Sequence, residues 1–143
     1  MKQYDQSLAE YQAALKLNPN LATARNEIGL LNMTLGNYFN AISDFQAAIE
    51  IDSTFIQAYT NMGDAFRLKK NYDSAVEIYQ KAIKVNSQYP DSYLGLGIIA
   101  HDYQKDYASA MKYYKSYLEH GGKMTDQLQQ WMKEVETLQS QGK

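Results

Sequence analysis

Two histidines, sixteen carboxylates and thirteen tyrosines are the side chains with chemistry to offer, and the chain has no cysteine. His101 stands beside Asp102 and Tyr103, a grouping that in a folded site could move a proton or hold a metal. No second histidine or cysteine lies at ligand spacing, and adjacent residues on a helix point to different sides of it. His101 therefore reads as a structural or surface residue. His120 precedes Gly121-Gly122 and reads as an imidazole at the negative end of a helix. Gly95-Leu96-Gly97 has glycines like those of a phosphate loop. Its surroundings are helical with no preceding strand, which removes the dinucleotide and P-loop readings. No Gly-x-Ser-x-Gly elbow occurs, and without thiols neither a disulfide framework nor a thiolate metal site can form. The residues carry no catalytic constellation, no cofactor site and no metal site.

What must position these residues is a repeated unit, clearest over residues 56–89. Tyr59, Met62, Gly63 and Phe66 make one helical stripe, and Tyr72, Ala75, Val76, Tyr79, Ala82 and Ile83 make a second after a turn at Lys70-Asn71. Two short amphipathic helices so joined form an αα-hairpin. Gly29, Gly63 and Gly97 recur every 34 residues, and most stripe residues recur with them. A fixed period of that length marks a helical solenoid. The tyrosines follow the same register. Tyr4, Tyr38, Tyr72 and Tyr107 share one position, Tyr11, Tyr79 and Tyr114 another, and Tyr59 and Tyr93 a third. These nine read as packing rings with hydroxyls at the edge.

The period and residues resemble the tetratricopeptide repeat family, whose pattern is a bulky residue, Leu-Gly, a tyrosine, then Ala, an aromatic, Ala and Pro. Tyr59, Met62-Gly63, Phe66, Ala75, Tyr79 and Ala82 match, with Ser87 at the proline place. The preceding copy has Ile28-Gly29, Ala41, Phe45 and Ala48, but Arg25 and Asn32 stand where the pattern has two bulky residues. The following copy has Pro90, Tyr93, Leu96-Gly97, Ala110 and Tyr114. The resemblance implies an all-α fold, a right-handed α-α superhelix of antiparallel helix hairpins. Residues 2–17 form a second helix whose first is missing, as in a piece cut from a longer protein. Repeats follow at 22–55, 56–89 and 90–122. In the last, Tyr107 lies ten residues after Gly97 whereas Tyr72 lies nine after Gly63, so one residue is inserted around Gln104 to Asp106. Residues 125–139 form a capping helix with Leu128, Trp131, Met132, Val135 and Leu138 on one face.

The net charge of −2 gives no reason to expect nucleic acid or an anionic membrane as partner. No apolar run approaches the roughly 20 residues that span a bilayer. The expected setting is aqueous, the cytoplasm ahead of the periplasm. Lys81, Lys84, Lys112 and Lys115 fall on second helices and read as a solvated outer face. The resemblance implies a non-catalytic scaffold that binds a protein or peptide in an inner groove lined by first helices. Its residues would be Asn26, Glu27 and Leu30, then Gln57, Asn61, Asp64 and Arg67, then Asp91, Leu94, Ile98 and His101, flanked by Thr23, Met33, Thr60 and Asp102. The alternative is a self-assembly module that stacks through its open ends. A subset of the family clamps the acidic tails of heat-shock chaperones with Lys, Asn and Arg. Those places here are Asn26, Leu30, Asn61, Asp91 and Gly95, and only Asn61 fits. The expected ligand is therefore neutral to basic, with apolar side chains meeting Leu30, Leu94 and Ile98.

Overall fold

The computed structural model describes residues 2–141, with side chains from Asp5 onward. The Tyr4 ring and the last two residues of the tail fall outside that description. The described residues form eight α-helices: α1 Lys2–Leu17, α2 Ala22–Thr34, α3 Tyr38–Ile51, α4 Ile56–Leu68, α5 Tyr72–Val85, α6 Asp91–Ile99, α7 Tyr107–Glu119 and α8 Asp126–Ser140. A π-helical turn, Ala100–Gln104, prolongs α6. Contacts divide the chain into two compact units, Met1–Ala75 and Val76–Lys143, with the boundary inside α5.

In the first unit α2 and α3 form a hairpin, α1 packs on α2, and α4 packs on α3 and touches α2. Small residues let the helices approach. Ala41, Phe45 and Ala48 of α3 and Ala58 and Ala65 of α4 are fully buried. Gly29 lies beneath the Phe45 ring, so that an added Cβ would sit 2.5 Å from Phe45 Cε1. The turns close by a shared device. Gly36 takes φ 75° and Lys70 φ 64°, which brings Asn37 N to Asn32 O and Asn71 N to Phe66 O, each at 2.9 Å. A left-handed residue followed by a bond five residues back satisfies carbonyls that the helix end leaves open. Gly36 adopts that conformation without strain, whereas Lys70 does so against the preference of an L-residue.

The second unit repeats the device with one residue more. Lys105 takes φ 57°, but Asp106 N now reaches six residues back, to Ala100 O at 3.0 Å. The extra residue of the third repeat is thus taken up in the π turn ahead of the reversal. The consequence is register. Tyr114 lies over Gly97, where an added Cβ would be 2.6 Å from the ring, just as Phe45 lies over Gly29. A residue inserted without such a turn would rotate α7 by about 100° and point Tyr114 away. Asp106 caps α7, its carboxylate accepting from Ser109 N at 3.0 Å. Gly95 passes close to the Tyr79 ring in the same way.

Helix α8 covers α7. Thr125 caps it, Oγ1 accepting from Leu128 N at 3.1 Å. Leu128 and Val135 are buried with Ala100, Ala110, Met111 and Tyr114, and Trp131 and Met132 pack against that cluster. The Trp131 and Tyr114 rings stack with centroids 6.1 Å apart.

Two stability outcomes follow. Gly29→Ala forces a methyl into the Phe45 ring and should destabilise the chain by about 1–3 kcal/mol, read as a lower urea midpoint; an unchanged midpoint would mean that the ring yields freely. Leu128→Ala should cost about 2–5 kcal/mol and increase hydrogen exchange in α8. Retained protection of α8 would show that the helix does not depend on that contact.

Candidate functional site

The face where α2 meets α4 carries most of the residues expected to bind a partner. Asn61 Nδ2 donates to Asn26 Oδ1 at 2.9 Å, and Asn26 Nδ2 donates to Glu27 Oε1 at 3.3 Å. Two carboxamides and a carboxylate thus run in series between the helices, each donor meeting an acceptor. Asn26, expected at the exposed surface, is only 4% exposed. The reason is that α4 packs against α2 and its Asn61 amide covers the Asn26 oxygen. Asn61 is half-buried and presents its own carbonyl oxygen with no protein donor among the described residues. Arg67 grips Asp64 through Nη2 at 2.9 Å and Nε at 3.3 Å. Thr60 is buried, its hydroxyl donating to the Gln57 carbonyl at 3.0 Å. Thr23 and Gln57 are exposed, and Glu27, Leu30, Met33, Asp64 and Arg67 are half-buried.

The second unit departs further from expectation. Asp91 is exposed at the start of α6. Leu94 and Ile98 are half-buried and pack against the unit's own core, so less of each is open to a ligand. His101 is 4% exposed and lies against α8, not on an open surface. Its Nδ1 is 3.2 Å from the Tyr114 hydroxyl and its ring meets Tyr107 edge-on. Glu134 of α8 comes within 3.9 Å of Nε2. Asp102, expected on another side of the helix, comes within 3.9 Å of Nδ1, because the π turn breaks the α-helical spacing on which that expectation rested. Burial pushes the Tyr114 phenol well above its ordinary range, and the Asp102 and Glu134 carboxylates add to the shift. Neutral Tyr114 serves as a packing ring with a buried hydroxyl. His120 ends α7 with Nδ1 donating to Ser116 O at 2.7 Å and stacks on Tyr93 at 4.8 Å. Among the described residues no group of three or more His, Cys, Asp or Glu is placed to hold a metal ion.

One polar cluster was not anticipated as such. Asp44 of α3 accepts from Asn32 Nδ2 at 2.9 Å and lies 3.6 Å from Arg25 Nη1. Arg25 and Asn32 were visible as departures from the repeat pattern. The signal that could have joined them is Asp44, twelve residues after Asn32 and one before the ring-bearing Phe45. Burial raises the Asp44 carboxyl pKa, against the lowering effect of Asn32 and Arg25.

The repeat geometry agrees with known families. A family model described as TPR repeat matches residues 1–36 and 63–102, more than half of the chain, and one described as tetratricopeptide repeat matches residues 22–55. The chain belongs to the tetratricopeptide repeat family. Its fold class is all-α, the helical-repeat solenoid class of that family. Among solved structures, two crystal structures of MamA resemble this tetratricopeptide chain at 25% identity. One has a TM-score of 0.72 over 82% of this chain and 68% of that one. The other has 0.71 over 83% and 64%, so the chain spans about two thirds of the MamA chains. The Sgt2 TPR domain from Aspergillus fumigatus shares the fold with a TM-score of 0.75 at 20% identity, over 85% of this chain and 80% of that one. Among curated proteins no sequence matches. Tetratricopeptide repeats are in general non-catalytic modules that bind protein partners. No described helix is long and apolar enough to cross a membrane.

Asp44 supplies a pH test. Its pKa is raised above the unfolded value of 3.8, so the folded state holds its proton more tightly than the unfolded state does. Its stabilising contribution is full below pH 3.8 and is lost as pH rises through the folded pKa. Relative to Asp44→Asn, the native chain should lose stability as pH rises from 3.8 toward neutrality, measured by urea unfolding across that range. Parallel pH curves for the two proteins would contradict the assignment.

Proposed function

We propose that this chain is a protein-interaction scaffold whose α2–α4 face holds an extended peptide of neutral to basic character. The observation that carries the reading is the composition of that face. It combines the open carbonyl of Asn61, the exposed carboxamide of Gln57, the carboxylates of Glu27 and Asp64 against the single guanidinium of Arg67, and Leu30 as an apolar contact. Carboxamides donate to and accept from a peptide backbone and so tolerate varied sequences. An excess of carboxylates favours cationic side chains and repels an acidic chaperone tail. The Asn61 amide N–H that would serve such a clamp already bonds Asn26. A self-assembly role draws on exposed apolar side chains in the first unit, above all Leu17 at 90% and Phe39 at 74%.

Calorimetry with a lysine-containing peptide and an acidic tail peptide tests the reading. The lysine peptide should bind more tightly, more weakly as salt rises, and about threefold to tenfold more weakly to Asp64→Asn. Preference for the acidic tail, lost in Asn61→Ala, would overturn it. Sedimentation at rising concentration separates the alternative: a peptide-binding monomer refutes self-assembly, and a concentration-dependent oligomer broken by Phe39→Ser supports it.

A further inference from the structure

On the side of α2 away from Asn26, Glu27 and Leu30 lies a cleft of about 650 Å³ bounded by α1, α2 and α3. Its origin is in the sequence. Arg25 and Asn32 occupy the two places where the repeat pattern sets bulky residues, and both turn to Asp44 without filling the space between the helices. The volume falls within the roughly 300–1,000 Å³ of small-ligand pockets. We propose that this cleft binds a small aliphatic carboxylate, with the acid on Arg25 and Lys16 and the hydrocarbon chain along Leu8 and Leu15.

The charges select the sign of the ligand. Lys16 and Arg25 face the cleft against one carboxylate, Asp44. That carboxylate is already engaged, Oδ2 by Asn32 at 2.9 Å and Oδ1 by Arg25 at 3.6 Å. Arg25 has five N–H donors in a planar fork, more than one carboxylate can engage; its Nη1 lies 3.6 Å from Asp44 and its side chain remains 39% exposed. Asp44 thus holds the guanidinium at the cleft wall while the side chain stays open to a ligand. A carboxylate suits such a fork because two parallel charge-assisted bonds can form. Leu8, Leu15 and the buried Ile28 supply the apolar wall, which distinguishes an aliphatic acid from an inorganic anion. A cationic ligand would meet Lys16 and Arg25 directly, and an uncharged one would leave their donors unmet. The site is independent of the peptide face, since residues 25, 28 and 32 share one side of α2 and residues 26, 27 and 30 the other.

Titration of the full chain with hexanoate, hexylamine and hexanol, followed by amide NMR, tests the proposal. Hexanoate should give saturable shifts confined to amides of α1, α2 and α3 around the cleft, and the other two should not. Arg25→Met should weaken hexanoate about tenfold through the loss of the bidentate partner. Lys16→Gln, at an exposed position that folding does not require, should weaken it about twofold. Inorganic phosphate at equal concentration should bind more weakly, lacking contact with the leucines. The absence of saturable hexanoate shifts, an equal response to all three six-carbon probes, tighter binding of phosphate, or unchanged affinity in Lys16→Gln would each overturn the assignment.

Discussion

A glycine on one helix lying under an aromatic ring of the next is the contact on which the rest of this structure depends. Gly29 under Phe45, and Gly97 under Tyr114, leave no room for even a methyl group. Gly95 of α6 close to the Tyr79 ring of α5 extends the same arrangement within the second unit. Once a ring is seated on a glycine, both the distance and the register of the hairpin are set. The alanines that flank the ring, Ala41, Ala48 and Ala110, are then forced to full burial. Packing at this density transmits small volume changes directly.

The π turn is intelligible only through that contact. One residue more in the third repeat would misplace Tyr114, and widening Ala100–Gln104 absorbs it before the chain reverses at Lys105. The widened turn has a second effect. It carries His101 inward beneath α8, next to the Tyr114 hydroxyl, and brings Asp102 and Glu134 to either ring nitrogen. Helix α8 therefore meets a partly polar seam as well as the apolar cluster that buries its Leu128 and Val135. A single insertion thus shapes both a core histidine and the surface that the last helix covers.

Helix α2 has polar side chains in two opposed roles. Toward α4 its Asn26 is sealed into a carboxamide series with Asn61, where each buried polar atom has a partner and unsatisfied groups would be costly. Away from α4 its Arg25 and Asn32 meet Asp44 beside open space. The first arrangement ties the two helices together through paired amides. The second keeps charged donors in place without filling the cleft that they border.

The 34-residue period determined the all-α repeat family and the places of the helices, because glycine, alanine and ring positions recur only where helix packing demands them. The buried face of α8 was legible as one apolar stripe. The extra residue before Tyr107 was legible as a shift in spacing, but its place in a π turn was not, since any nearby residue could have bulged outward. The expected binding face was legible only as a set of helix positions; of these Gln57 is exposed, whereas Glu27 and Asp64 are half-buried and already bonded to Asn26 and Arg67. Spacing could not tell that Asn26 is closed off by Asn61, or that His101 turns inward. Those outcomes rest on which side chains meet across helices thirty-five and thirteen residues apart. Arg25 and Asn32 stood out as departures, but only the tertiary structure joined them to Asp44, because an open space between helices has no residues of its own to read.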